Sequence, residues 1–414
     1  MLPPVLEIHV VWHPGDTGGA ATAQEFVEHF HGTLFSGLIG GAVEVFIRSP
    51  GWRSDSDAPR PIPFDDNAIA PGLRAAKAIA VVPLIGNEMA MASREAGSPW
   101  QQYLTAIVDA RRAQPNRVDI FPCLLDDGAM TGTVPGELFG PFQRIGATPI
   151  AEGETTKLAR CRDLAQGITH LVSQSKDRLT VFISHTKRNS EGEGETVSTL
   201  IQAVRDVLGG TRLRLFFDAS DLEPGKEWDP ELRAKAASSA LLAIRTDLYP
   251  SREWCQREIL IAKREGMPVI IMDALGDAEE RGSFLMDHVP RVPARMEGGG
   301  WRKSDIHRAV ALLVDECAKR ALWRSQQELA LKESAVSVAW WAPHAPEPIT
   351  LTKWLESARA KGGLPPKDQA LVVLHPDPPL GAEERTALQD ILTLAGVESP
   401  LDVMTPRVLA ARGG

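Results

Sequence analysis

Leu179-Thr-Val-Phe-Ile-Ser184, with Arg178 before it and His185-Thr186 after it, is a β-branched and aromatic run suited to a buried strand. The residues beyond it decide the fold. Residues 195–208 (ETVSTLIQAVRDVL) place Val197, Leu200, Ile201, Val204 and Leu208 at helical spacing, and 213–217 (LRLFF) reads as a second strand. Beyond the loop 218–229 (DASDLEPGKEWD) come a helix and then a strand over 241–244. The stretch SREWCQREI (251–259) opens the next helix, Gly266 ends it, and 268–272 supplies another strand. A long helical pattern then occupies 303–332. Short apolar runs alternating with amphipathic helices predict an α/β fold with flavodoxin-like, doubly wound parallel sheets.

Working outward, the first part of the chain repeats this order. Strands are expected over 6–12, 43–47, 78–82 and 118–121, and helices over 20–34, 72–77, 100–113 and 157–174, with a proline-rich loop over 50–71. Trp100 in SPWQQYL occupies the place of Trp254 in SREWCQREI, each opening a helix. We read this as an internal duplication. Two unrelated doubly wound units sharing only βα alternation would give the same coarse pattern. The tail is partial: a helix over 350–361, a strand over 370–374, a helix over 381–395 and a strand over 401–404 resemble the second half of the same unit. The expected organisation is therefore 1–174, 176–332 and a small α/β unit at 335–414.

Composition narrows the function. The 414 residues carry a net charge of −9, which speaks against a general nucleic-acid or anionic-membrane binder. No apolar run approaches the roughly 18 residues of a membrane span. Cys123, Cys161, Cys255 and Cys317 are scattered without a CxxC pair, so they read as reduced thiols and no zinc site is expected. The N-terminus has neither a basic n-region nor a cleavage pattern, and a cytoplasmic setting is the expectation. His29 and His31 lie two apart on a helical pattern and do not face one ligand. GGGW (298–301) reads as a turn rather than a phosphate cradle.

Three pieces carry a resemblance to a known family. RLTVFISHT (178–186), FFDASDLEPGKEW (216–228) and SREWCQREI (251–259) resemble, in order and spacing, the first strand, the BB loop with its Leu222-x-x-Gly225 core, and the Trp-Cys-x-x-Glu helix of the Toll/interleukin-1 receptor (TIR) domain. The likeness covers about a third of the chain directly, and the duplication extends it to tandem TIR-like domains. Enzymatic members of that family cleave the nicotinamide–ribose bond of NAD+, so the resemblance implies an NAD+ glycohydrolase, with cyclisation or base exchange sharing the site. NAD+ is then substrate, and no cofactor is implied. Glu258 matches the family's catalytic glutamate. A carboxylate there suits the chemistry, because the leaving nicotinamide is already cationic and the developing oxocarbenium needs a negative charge beside it. Trp254, one turn earlier, offers an aromatic face to the nicotinamide cation.

Ser184, His185, Lys187, Asp218, Gly225, Lys226 and Trp228 complete the expected ligand contacts. His185 serves a ligand or a structural hydrogen bond, and Lys187 pairs with pyrophosphate or forms a solvated basic corner. The family commonly has an arginine soon after its first strand, where this chain reads Thr186, Lys187 and Arg188. Cys255 reads as a buried apolar residue rather than a nucleophile. In the N-terminal copy the position four after Trp100 is Leu104, which cannot stabilise an oxocarbenium ion. That copy is expected to be catalytically dead and to serve as a fixed neighbour or assembly surface, the alternative being that 1–172 binds a partner or an activating ligand. The resemblance further implies a homo-oligomer or filament built on TIR–TIR contacts and activation by assembly, a protein or a nucleotide signal, as in bacterial antiphage defence and cell death. A non-enzymatic TIR adaptor is the alternative, for which Glu258 would have no use.

Overall fold

A computed structural model describes residues 4–32, 35, 42–51, 57–65, 75–146, 150–174, 179–186, 193–211, 213–216, 239–277, 279, 282–333, 337–364, 366–367 and 369–412. The first sheet contains β1 (Leu6–Val11), β2 (Val43–Arg48), β3 (Ala78–Ile85), β4 (Val118–Ile120) and β5 (Cys123–Leu124). All of its pairs are parallel, in the order β2-β1-β3-β4, with β5 also on β3. Every residue of β3 is buried, as expected of a central strand covered on both faces. Pro83 explains why β4 and β5 are separate. A proline has no N–H to offer the ladder, and β3 pairs with β4 up to Val81 and resumes with β5 only at Leu84.

The second sheet contains β6 (Thr180–Ser184), β7 (Arg214–Phe216), β8 (Ser239–Arg245), β9 (Val269–Asp273) and β10 (Arg291–Pro293), again parallel, in the order β10-β9-β8-β6-β7. Counted within the sheet, that is the 2-1-3-4-5 winding of flavodoxin-like folds, and the first sheet shares its 2-1-3-4 part. β11 (Met296–Glu297) and β12 (Gly300–Trp301) form a short antiparallel hairpin. Gly298 and Gly299 supply its turn at φ 60 and 83, a conformation natural only to glycine, so GGGW is a tight turn.

The helices are α1 (Gly19–Phe30), α2 (Asn87–Ala92), α3 (Pro99–Ala113), α4 (Val134–Phe139), α5 (Thr156–Ser173), α6 (Glu193–Gly209), α7 (Glu253–Glu265) and α8 (Lys303–Glu333). With 31 residues, α8 is about 46 Å long. It packs along α5, and their Ile168, Ala165, Val310 and Ala318 belong to one buried cluster that reaches from β1 to β8. A part-buried pair ties α1 to α8, His29 Nε2 to Asp315 Oδ1 at 3.0 Å. His31 turns elsewhere, accepting from Val45 N–H at 3.1 Å.

The tail forms β13 (Trp340–Trp341), α9 (Pro348–Ala360), β14 (Leu371–Leu374), α10 (Ala382–Leu394), β15 (Leu401–Met404) and α11 (Pro406–Ala411). Its three strands are parallel and in chain order, as β8, β9 and β10 are. β13 is an addition to the expected tail. Most other boundaries fall within one or two residues of expectation; α1 stops at Phe30, short of the expected 34. The helix expected over 72–77 is corrected where it can be seen: Ala75 to Lys77 are not helical, and 72–74 lie outside the described residues.

Among the described residues no helix is long and apolar enough to cross a membrane. No group of three or more His, Cys, Asp or Glu side chains among them is placed to hold a metal ion.

Candidate functional site

β6 and β8 are the strands between which the winding of the second sheet reverses, and in open α/β sheets ligands bind outside the carboxyl ends of the strands at such a switch point. Ser184, the last residue of β6, lies buried at that end. A short 3-10 turn after β8, Tyr249–Ser251, buries Tyr249 and leads into α7. Arg252 caps α7 in an extended conformation without a side-chain capping hydrogen bond, and Glu253 in the first turn suits the positive end of the helix dipole. Gly266 ends the helix in the left-handed region at φ 63.

Because α7 lays one face on the sheet, Cys255, Glu258, Ile259 and Ala262 are all buried. Glu258 is only 4% exposed, beside the apolar cluster of Phe182, Tyr249, Cys255 and Ile259. A carboxylate in such surroundings must be hydrogen-bonded to be tolerated. Ser184 Oγ donates to Glu258 Oε2. Tyr249 OH lies 2.6 Å from the same Ser184 Oγ. With the serine proton committed to the carboxylate, the phenol is the donor in the second bond. Burial first, with the electrostatic influence of Cys255 and Glu258 next, holds the Tyr249 phenol well above its ordinary pKa, so it keeps its proton. Tyr249, Ser184 and Glu258 thus form a relay aimed at one carboxylate oxygen. Beside it, Thr186 Oγ1 and Thr246 Oγ1 lie 3.4 Å apart and tie the two strand ends together.

The other expected residues divide. Trp254 stands at the rim, 38% exposed, with the Arg257 guanidinium 5.4 Å from its ring centroid. A nicotinamide stacking on that face would displace Arg257. The His185 ring places Nδ1 3.0 Å from the Thr186 carbonyl, a local structural contact. Cys255 is buried, with Sγ 3.6 Å from the His185 carbonyl. Lys187, Asp218, Gly225, Lys226 and Trp228 lie outside the described residues. Tyr249 is the member that sequence reasoning missed. Its signal was a Tyr-Pro pair between a buried strand and the Trp-bearing helix, in a chain with only two tyrosines.

The N-terminal counterpart is built differently. Trp100 occupies the second position of α3, as Trp254 does in α7, yet it is 2% exposed and packs against His13 at 5.2 Å between ring centroids. Leu104 is fully buried in the same cluster, and the first turn of α3 carries no acidic residue.

No family model matches this chain, and no curated protein matches it.

Proposed function

We propose that the chain is an NAD+ glycohydrolase of the TIR type, with Glu258 as its catalytic carboxylate. The observation that carries this reading is a buried glutamate at the switch point of a flavodoxin-like sheet, held by Ser184 and, through it, by Tyr249. As the bond between the ribose C1′ and the nicotinamide N1 breaks, its electron pair leaves with nicotinamide, which departs neutral. Positive charge develops on the ribose, and a fixed carboxylate close by stabilises it without having to reorganise. The hydroxyl relay supports this role by orienting Glu258. Ribose hydroxyls donating to the carboxylate would hold the sugar in register. Water then adds at C1′ and releases a proton, giving ADP-ribose.

Activity is further read as depending on assembly through TIR–TIR contacts, with the N-terminal unit as a permanent neighbour. The support is that α3 retains the helix start while Leu104 fills the core where the carboxylate would be. Nicotinamide release from NAD+ by the full chain, wild type beside Glu258→Gln, tests the enzymatic reading against the adaptor one. Release by wild type that the variant lacks supports it; equal release by both refutes it.

A further inference from the structure

At the amino ends of β6, β8 and β9, far from Glu258 along the same strands, lies a cavity of about 660 Å³. Its size falls within the roughly 300–1,000 Å³ of small-molecule sites. Its wall draws on the end of α5, the starts of β3, β6 and β8, and the face of α8 that carries Arg320, Arg324 and Glu328. Lys77, His170 and Lys332 add further basic groups, and the carboxylate, Glu328, is engaged by Lys77 at 2.6 Å.

The cavity holds polar groups whose needs the protein does not meet. Arg320 Nε, Ser239 Oγ and Ser325 Oγ are buried without a hydrogen-bond partner among the described residues. Arg320 forms no ion pair among the described residues, and four positions on, Arg324 faces it with a like charge, a destabilising spacing on a helix. Burial, with Arg324 as the lesser cause, pushes Arg320 down to about 9, and burial lowers Arg324 as well. A buried guanidinium Nε–H and two buried hydroxyls without acceptors among the described residues are costly to bury. Leu179, Pro268 and Ala321 give the same cavity an apolar wall.

We propose that this cavity binds a small phosphate-bearing molecule, whose phosphate accepts from Arg320, Arg324, Ser239 and Ser325 and whose body lies on the apolar wall. Guanidinium pairs match phosphate oxygens in geometry as well as charge. Arg320 also reaches the foot of the helix that carries Glu258: a Cβ at Gly266 would come within 2.8 Å of Arg320 Nη2. A ligand that draws on Arg320 therefore acts where α7 ends. The binding itself does not depend on what Glu258 does.

Titration calorimetry and thermal denaturation of the full chain with ATP, pyrophosphate and inorganic phosphate, each against sodium chloride at matched ionic strength, test the proposal. At least one phosphate compound is expected to bind wild type saturably and raise its melting temperature. Inorganic phosphate binding as tightly as ATP would show that the phosphate group alone is read; tighter ATP would show that the apolar wall contributes. Arg320→Met and Arg324→Gln should each weaken that binding about 10- to 100-fold. Without ligand, Arg320→Met should melt at or above the wild-type temperature, because an unpaired buried charge has been removed. Ser325→Ala, which deletes only a hydroxyl, should weaken binding with the fold intact. Absence of binding by all three compounds at millimolar concentration, or unchanged binding by the arginine variants, would overturn the proposal.

Discussion

Ser184 Oγ donates a hydrogen bond to Glu258 Oε2 across 74 positions of sequence, joining the carboxyl end of β6 to the buried face of α7. Neither residue would hold its place alone. The strand fixes the serine through the ladder with β8, in which Ser184 pairs with Ala243. The helix delivers the glutamate, and Tyr249 locks the serine from the far side. A carboxylate is thereby kept oriented inside an apolar cluster, which is what stabilising a transient cation requires.

Loss of the outer hydroxyl should weaken the relay without emptying the site. Tyr249→Phe is expected to lower unfolding stability by about 1–2 kcal/mol, as for a buried hydrogen bond with one partner removed. It should slow nicotinamide release with little change in KM. Ser184→Ala, which removes the direct donor to Glu258, should be the more damaging of the two. Urea denaturation and steady-state rates on both variants check the order.

The helix start in the N-terminal unit should behave as core. Leu104→Glu places a carboxylate in a fully buried apolar cluster and is expected to cost more than about 3 kcal/mol. Leu104→Met should cost less than about 1.5 kcal/mol. Neither variant should create a second active site, and thermal denaturation separates them.

The far end of α7 is clamped by a buried ion pair. Lys263 Nζ reaches Glu347 Oε2 at 2.7 Å and the Asp287 carbonyl at 2.6 Å, with both paired side chains 3% exposed. Removing one charge strands the other, so Lys263→Met or Glu347→Leu alone should each cost about 3–5 kcal/mol. Together they should recover much of that loss. Urea midpoints of the two singles and the double variant complete the cycle.

Stability should fall in moderately acidic solution. Burial pushes His344 from 6.5 down to about 4 and outweighs the hydrogen bond to the Ala345 carbonyl. Between those values the unfolded chain binds a proton that the folded one refuses, so stability is full above pH 6.5 and is lost as pH drops towards 4. For this group the loss amounts to about 2–3 kcal/mol. His375 and His9, also lowered by burial, add in the same direction. Urea midpoints measured from pH 7 to 4.5 should decline, and His344→Gln should flatten the profile.

The strands and long helices were legible in the sequence because each is specified locally. β6 is a wholly buried run centred on Val181, Phe182 and Ile183, and α7 has an acidic first turn and a glycine stop. α2 was not legible, because what holds it is remote. Asp16 accepts from Glu88 N–H at 2.7 Å and Met89 N–H at 3.1 Å, satisfying a helix start that has no cap of its own. β13 escaped because two residues give no periodic signal, and its place depends on pairing with Val373 and Leu374. For the site, Glu258 and Ser184 could be named from pattern and resemblance, whereas Tyr249 emerges only once the sheet brings the ends of β6 and β8 together. The part of the site expected from loop 218–229 lies outside the described residues.

The most direct measurement is the rate of nicotinamide release from NAD+ by the purified full chain at high protein concentration, for wild type, Glu258→Gln and Glu258→Ala, each first shown to unfold cooperatively. Removal of one preorganised electrostatic stabiliser is expected to slow release by about 100- to 1,000-fold or more in both variants, with the fold retained. Wild-type rates in Glu258→Gln would contradict the assignment of Glu258 as the catalytic carboxylate.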